Sequence, residues 1–240
     1  MKVLQINCVY KKGSTGKITY ELHKGLIDAG IESIVCYGRG ERVDEPDVYK
    51  VCPEWYSKLN NAWSRINGIM YGGCFFSTNK LISIIKRENP DIVHLQCING
   101  YFVNIYRLIT WLKRHHVKTV LTLHAEFMYT ANCGYALDCE RWKIGCGECP
   151  RRKEETKSFL IDGTSSSWEK MKKAFDGYTD MTIVGVSNWI SNRAYEAPIM
   201  DNCKISTIYN GIETDKIFCP RDNQIAKRKY NLSLHKKIVL

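Results

Sequence analysis

The sequence predicts an α/β fold, a Rossmann-like doubly wound sheet that is mostly parallel and carries a cysteine-rich insertion. Three observations predict it. Apolar, β-branched runs alternate along the chain with segments of helical periodicity. The first of these runs ends in a glycine loop that opens a helix, as a βαβ unit does. The composition, 44% hydrophobic and 25% charged over 240 residues, is that of a globular chain with one sizeable core, or one domain and the beginning of another.

The elements follow in order. Lys2 to Tyr10 is an apolar run that leads into Lys11-Lys12-Gly13-Ser14-Thr15-Gly16, and Lys17 to Ala29 places Ile18, Leu22, Leu26 and Ala29 at helical spacing. Gly30 closes that helix, and Ile31 to Tyr37 gives a second strand. Lys80 to Arg87 reads as a helix stopped by Pro90, Asp91 to Cys97 as a buried strand, Phe102 to His115 as a helix and Val117 to His124 as a strand. Beyond the cysteine-rich insertion come a helix from Trp168 to Phe175, a strand from Met181 to Ser187, a helix from Trp189 to Glu196 and a last strand from Lys204 to Tyr209. Asn210-Gly211 is a turn signal and Pro220 discourages a helix, so residues 1–209 are expected to form the domain and 210–222 a linker. Residues 223–240 then read as the start of a second domain, with a helix from Gln224 to Tyr230 and the first residues of a strand from Lys236 to Leu240.

The N-terminus, Met1 to Cys8, has no export-signal core and reads as a first strand. Nowhere do some 18 consecutive apolar residues occur. With no export signal, eleven cysteines point to a reducing, cytoplasmic setting in which thiols stay free or bind metal. The net charge of +10 suits nucleic acid, an anionic membrane surface or phosphate-bearing substrates.

The glycine loop reads equally as a site whose backbone N–H groups and helix dipole meet an anion such as a phosphate and as a plain turn from strand to helix. The P-loop pattern fails, because Lys11 and Ile18 stand where it needs Gly and Ser or Thr, and the dinucleotide fingerprint fails as well. Asn99, His124 and Ser187 fall at carboxyl ends of strands, where open α/β sheets bind ligands. Taken singly, each reads better as a residue that bonds its own loop and does no chemistry. Cys133, Cys139, Cys146 and Cys149 form C-x5-C-x6-C-x2-C, a set that can close a structural zinc site or stay as free or redox-active thiols. Four protein ligands would leave no open position, so no catalytic metal is expected. Arg151-Arg152-Lys153 and Lys170 to Lys173, with Trp168 and Phe175 nearby, are a candidate face for anionic headgroups or simply a solvated surface.

Taken in order, these motifs resemble the N-terminal domain of a retaining GT-B glycosyltransferase of the bacterial family 4 type that elaborates surface polysaccharides. The resemblance rests on Gly13-Ser14-Thr15-Gly16, Tyr37-Gly38-Arg39-Gly40, Pro90-Asp91-Ile92-Val93-His94-Leu95, Thr122-Leu123-His124, the cysteine loop through Cys149-Pro150, Val186-Ser187-Asn188-Trp189 and Asn210-Gly211-Ile212-Glu213. It implies a nucleotide-sugar donor and a saccharide or lipid-linked acceptor. It also implies His124 as the catalytic residue near the transferred sugar and Gly13, Ser14, Thr15 and Gly16 by the donor phosphates and acceptor; Asn99, Ser187 and Asn210 complete the candidate substrate-binding set. The sequence departs from that pattern at Gln96 and Asn99, where relatives often carry histidines, and at Ala125, where an acid commonly follows the histidine.

The same resemblance makes residues 1–209 the acceptor side and the chain a truncated transferase, nearly inactive alone because most of the donor-binding domain is missing. It also implies a cytoplasmic protein, peripheral at the inner face of the membrane. Two other readings compete. One is a non-catalytic binding fragment or partner subunit. The other is a nucleic-acid binder, disfavoured because the known readers' helix and aromatic patterns are missing.

Overall fold

Seven strands build one sheet in the computed structural model of the chain, which describes residues 1–215, 219 and 223–238. The order along the chain is β1 (Lys2–Asn7), α1 (Gly13–Asp28), β2 (Glu32–Tyr37), β3 (Val48–Lys50), α2 (Glu54–Asn67), α3 (Phe75–Glu88), β4 (Ile92–Leu95), α4 (Ile105–Arg114) and β5 (Thr119–Leu123). Then follow α5 (Phe127–Thr130), a 3-10 turn at Arg141–Lys143, α6 (Thr164–Phe175), β6 (Met181–Gly185), α7 (Asn188–Tyr195), β7 (Lys204–Thr207) and α8 (Asn223–Lys229). In space the strands run β3-β2-β1-β4-β5-β6-β7, and every neighbouring pair is parallel. The order reverses at β1, which makes the gap between β1 and β4 the topological switch point.

Period-two alternation divides the strands between two layers. Leu4 and Ile6 of β1, Ile34 and Cys36 of β2, Val93 and Leu95 of β4, and Leu121 and Leu123 of β5 enter one large core with the buried faces of α3, α4 and α6. Val35, Tyr37 and Val48 turn the other way and pack with Tyr10 against Tyr20 of α1. Helix α4 shows why these segments are helical: Asn104 caps it by accepting from the Arg107 N–H at 3.0 Å, and Lys113 and Arg114 meet the dipole in its last turn. Helix α3 ends at Asn89, which takes a left-handed conformation just before Pro90.

Three differences from the sequence expectation have local causes. The loop Gly13–Gly16 is itself the first turn of α1, which the chain enters through a left-handed Gly13 at φ +67. The pair β3 and α2 was not anticipated: β3 is only three residues long, and α2, whose apolar residues do keep helical spacing, turns that side outward. Trp168 and Phe175, expected to flank a basic face, are buried in the core, with the Trp168 indole N–H bonded to the Trp142 carbonyl at 2.8 Å.

The chain divides into two compact units, Met1–Tyr209 and Asn210–Leu240. In the second, α8 covers most of the helix expected from Gln224, and Lys236–Ile238 take no strand conformation. Val239, Leu240 and Pro220, on which parts of the strand and linker expectations fall, lie outside the described residues. Among the described residues no helix is long and apolar enough to cross a membrane.

Candidate functional site

Side chains at the carboxyl edge of the sheet first hold the switch point itself. Asn7, the last residue of β1, donates to the Val9 carbonyl at 2.8 Å and accepts from the Cys97 N–H at 3.0 Å, which ties the ends of β1 and β4 together. Gly100 sits at φ +114, and a Cβ there would lie 2.5 Å from the Cys8 sulfur, so only glycine fits. Its carbonyl accepts from Arg39 Nη1 at 3.2 Å and from the Ser57 hydroxyl at 2.9 Å. Arg39 also donates to Glu54 at 2.9 Å, and the same carboxylate takes the Gly40 N–H at 2.7 Å. Burial alone would raise the Glu54 carboxyl, but the Gly40 N–H and Arg39 hold it below its ordinary range. Cys8, by contrast, is pushed up to about 12 by burial and stays a protonated thiol near neutral pH.

The glycine loop lies beside this knot. Lys12, which precedes α1, is extended, and no side chain caps the helix. Gly13 and Ser14 are exposed, so the start of α1 is open to an anion. Lys11 and Lys12 beside it are paired with Glu45 and Glu41. Gly16 has a packing role instead: a Cβ there would come within 3.0 Å of the Val9 methyl and 3.3 Å of the Lys11 nitrogen.

His124 follows β5 directly. Its Nε2 is buried and has no hydrogen-bond partner, the state of a group shaped to meet something else. Burial lowers its pKa, so the ring is neutral near pH 7. One strand away, His94 bonds the Thr122 hydroxyl at 2.8 Å and is lowered to about 4 by burial and then by the neighbouring His124. Burial therefore keeps both imidazoles uncharged near neutral pH, and His124 adds to the effect at His94.

The other expected residues are more ordinary. Asn99 accepts from the Cys97 thiol at 3.0 Å in the loop after β4. Ser187 caps α7 by accepting from the Ile190 N–H at 3.4 Å. Asn210 is exposed and belongs to the second unit. The start of α1 at Gly13–Gly16, Asn99, His124 and Ser187 thus follow the carboxyl ends of β1, β4, β5 and β6, on one edge of the parallel sheet.

Sequence reasoning missed Glu126. Its carboxylate is fully buried and accepts from Arg193 Nε, the Tyr129 hydroxyl and the Ala136 N–H, each at 2.6 Å. It pins the insertion after His124 to α7. The acid expected directly after the histidine stands one residue later, and that nearness was the available signal.

Cys133, Cys139, Cys146 and Cys149 do converge, lining a cavity of about 20 Å³ beneath the insertion. Burial pushes the Cys133 and Cys146 thiols up to about 12. Among the described residues, however, no group of three or more His, Cys, Asp or Glu is arranged to hold a metal ion. The zinc expectation therefore finds no support, and the spacing that suggested it fills a packed thiol pocket instead.

An all-parallel open sheet with an uncapped helix start at its switch point and an unpartnered histidine at a strand end defines a ligand-binding domain of the Rossmann-like class. The model of Glycosyltransferase Family 4 matches residues 15–216, and the chain belongs to that family. It is a glycosyltransferase domain.

Solved structures that resemble the chain include the following three. An alpha-glucosyltransferase in complex with UDP and a 13-mer DNA containing a central A:G mismatch shares 12% identity over 89% of this chain and 42% of that one, with a TM-score of 0.44. Sucrose-phosphate synthase from Thermosynechococcus elongatus shares 12% over 97% and 53%, with a TM-score of 0.49. UDP-GlcNAc 2-epimerase from Methanocaldococcus jannaschii shares 10% over 89% and 74%, with a TM-score of 0.33. The chain spans about half the length of the first two. No curated protein matches the sequence.

Proposed function

We propose that residues 1–209 are the acceptor-side domain of a retaining glycosyltransferase. The whole enzyme moves a sugar from a nucleotide-sugar donor to a saccharide or lipid-linked acceptor in surface-polysaccharide synthesis, at the cytoplasmic face of a membrane. Asn210–Leu240 belongs to the donor-binding side. The observation that carries this reading is the buried Nε2 of His124, left without a partner at the end of β5 in a chain of this family. A neutral imidazole there can hold a sugar hydroxyl in position, while the open start of α1 offers N–H groups to the donor phosphates.

Mass spectrometry of the full-length protein with nucleotide-sugar donors tests the reading. His124→Ala is expected to lower turnover by about 100-fold or more while the protein stays folded. Unchanged turnover removes His124 from the chemistry, and absence of transfer with every donor leaves a binding protein.

A further inference from the structure

Helix α2 is built inside out. It buries Ser57 and Ser64 and exposes Trp55 (67%), Leu59 (60%), Trp63 (57%) and Ile66 (47%). At 100° per residue those four apolar side chains fall within an arc of about 80°, so they form one stripe along the helix. Phe75 and Phe76 at the start of α3 are also exposed, and the Phe76 ring lies 5.9 Å from that of Tyr56 on α2. At the other end of the helix the Phe159 N–H bonds the Arg65 carbonyl at 3.0 Å, which brings exposed Phe159, Leu160 and Ile161 alongside. Scattered apolar residues on a surface need no explanation, but a continuous band with two tryptophans does.

The surroundings of this band are basic. Trp63 and Phe75 line a groove of about 1000 Å³ together with Arg107, Lys113, Arg114, Lys170 and Lys173, against Asp176 as the one carboxylate among the described residues that line it. On α2 itself Lys58 and Arg65 flank the stripe, and its single acid, Glu54, is neutralised by Arg39 and Lys50. An apolar stripe with tryptophans, bordered by cations, matches the interface of an anionic bilayer: the rings enter the headgroup region and the cations meet the phosphates.

We infer that α2, the start of α3 and the 159–161 segment form a docking surface for an anionic phospholipid bilayer, with the basic groove seated on the headgroups. This surface shares Lys170 and Lys173 with the face suggested by sequence, but its apolar component comes from α2 and not from the buried Trp168 and Phe175. It deepens the transferase reading, since docking would hold the sheet edge near a lipid-linked acceptor. Its test is independent of sugar transfer.

The experiment is vesicle sedimentation of the full-length protein, with vesicles of phosphatidylglycerol and phosphatidylcholine against phosphatidylcholine alone. The wild type is expected to bind the anionic vesicles, with a blue shift of tryptophan emission and weakening at high salt. Leu59→Glu/Trp63→Glu replaces exposed residues and so leaves the fold intact. It is expected to weaken vesicle binding by at least about tenfold, because each large apolar side chain removed from the interface forfeits more than 1.4 kcal/mol. Lys170→Glu/Lys173→Glu should weaken binding to anionic vesicles and flatten its dependence on salt. Absence of binding by the wild type, or binding that Leu59→Glu/Trp63→Glu leaves unchanged, overturns the inference. So does a wild-type dimer in light scattering that the same variant splits, which would assign the stripe to a second copy. Transfer to a soluble acceptor, measured in parallel, reports on the transferase reading alone.

Discussion

The two faces of the sheet are made from the same strands, yet one resembles an ordinary core and the other does not. On the first, Leu4, Ile6, Val93, Leu95, Leu121 and Ile183 join one apolar core with α3, α4 and α6. On the second, a chain of polar groups runs across three strands into α1: Gln96 donates to Gln5 at 2.8 Å, Gln5 to Ser33 at 3.4 Å, and Ser33 bonds His23 at 2.8 Å. His94, Thr122 and His124 continue that face toward β5. Parallel strands covered on both sides are usually apolar throughout. The departure marks the side on which uncharged, hydrogen-bonding chemistry has been kept, and it leads to the unpartnered nitrogen of His124.

The contrast is tested most strongly on the apolar face. Leu121 is completely buried in the core, so Leu121→Ala should lower unfolding free energy by about 2 to 5 kcal/mol, through lost transfer energy and the cavity left behind. Urea unfolding measures it. A loss well below that range would mean the first face is loosely packed and the two layers differ less than their composition suggests.

The polar face should instead respond to pH. His94 has its folded pKa lowered from the ordinary value of 6.5 to about 4 by burial and the neighbouring His124, so between those values the unfolded chain binds the extra proton. Stability from this group is therefore complete above about pH 6.5 and is lost as pH falls toward 4, a change on the order of 3 kcal/mol. His23 and His124, both lowered by burial, add in the same direction. His94→Gln keeps a hydrogen-bonding group near Thr122 and removes the proton. Urea unfolding across that window should show a flatter pH dependence for the variant, and an unchanged slope would place the titration elsewhere.

How much of this could be read beforehand depended on the range of the signal. The alternation of β1, α1, β2, β4, α4, β5, β6, α7 and β7 was legible because each element carries its own periodicity within about ten residues. Helix α2 was passed over although Trp55, Leu59, Trp63 and Ile66 carry the helical period; what that period cannot tell is that the apolar stripe faces outward and the serines inward. At the site, His124 was legible as the residue that ends an apolar strand. Its coupling to His94 depends on the β4–β5 register, and the link between Glu126 and Arg193 spans 67 residues. Neither partner can be read from local spacing. The cysteines show the opposite limit: their spacing correctly signalled that they gather, but the chemistry of the gathering depends on side-chain directions that spacing does not contain.

The smallest expected effect is the sharpest test of the polar face. Gln96→Met removes the donor to Gln5 and leaves a completely buried carbonyl oxygen unpaired, at a cost of about 1 to 3 kcal/mol. Adding Gln5→Met removes that orphan as well, while Ser33 remains bonded to His23. The double variant should then be more stable than Gln96→Met, because matched apolar groups of similar size cost less than one unpaired polar atom. If the second substitution instead lowers stability further, the glutamines act independently. The polar face would then be a set of separate contacts and not a connected chain leading from α1 across β1 to β4.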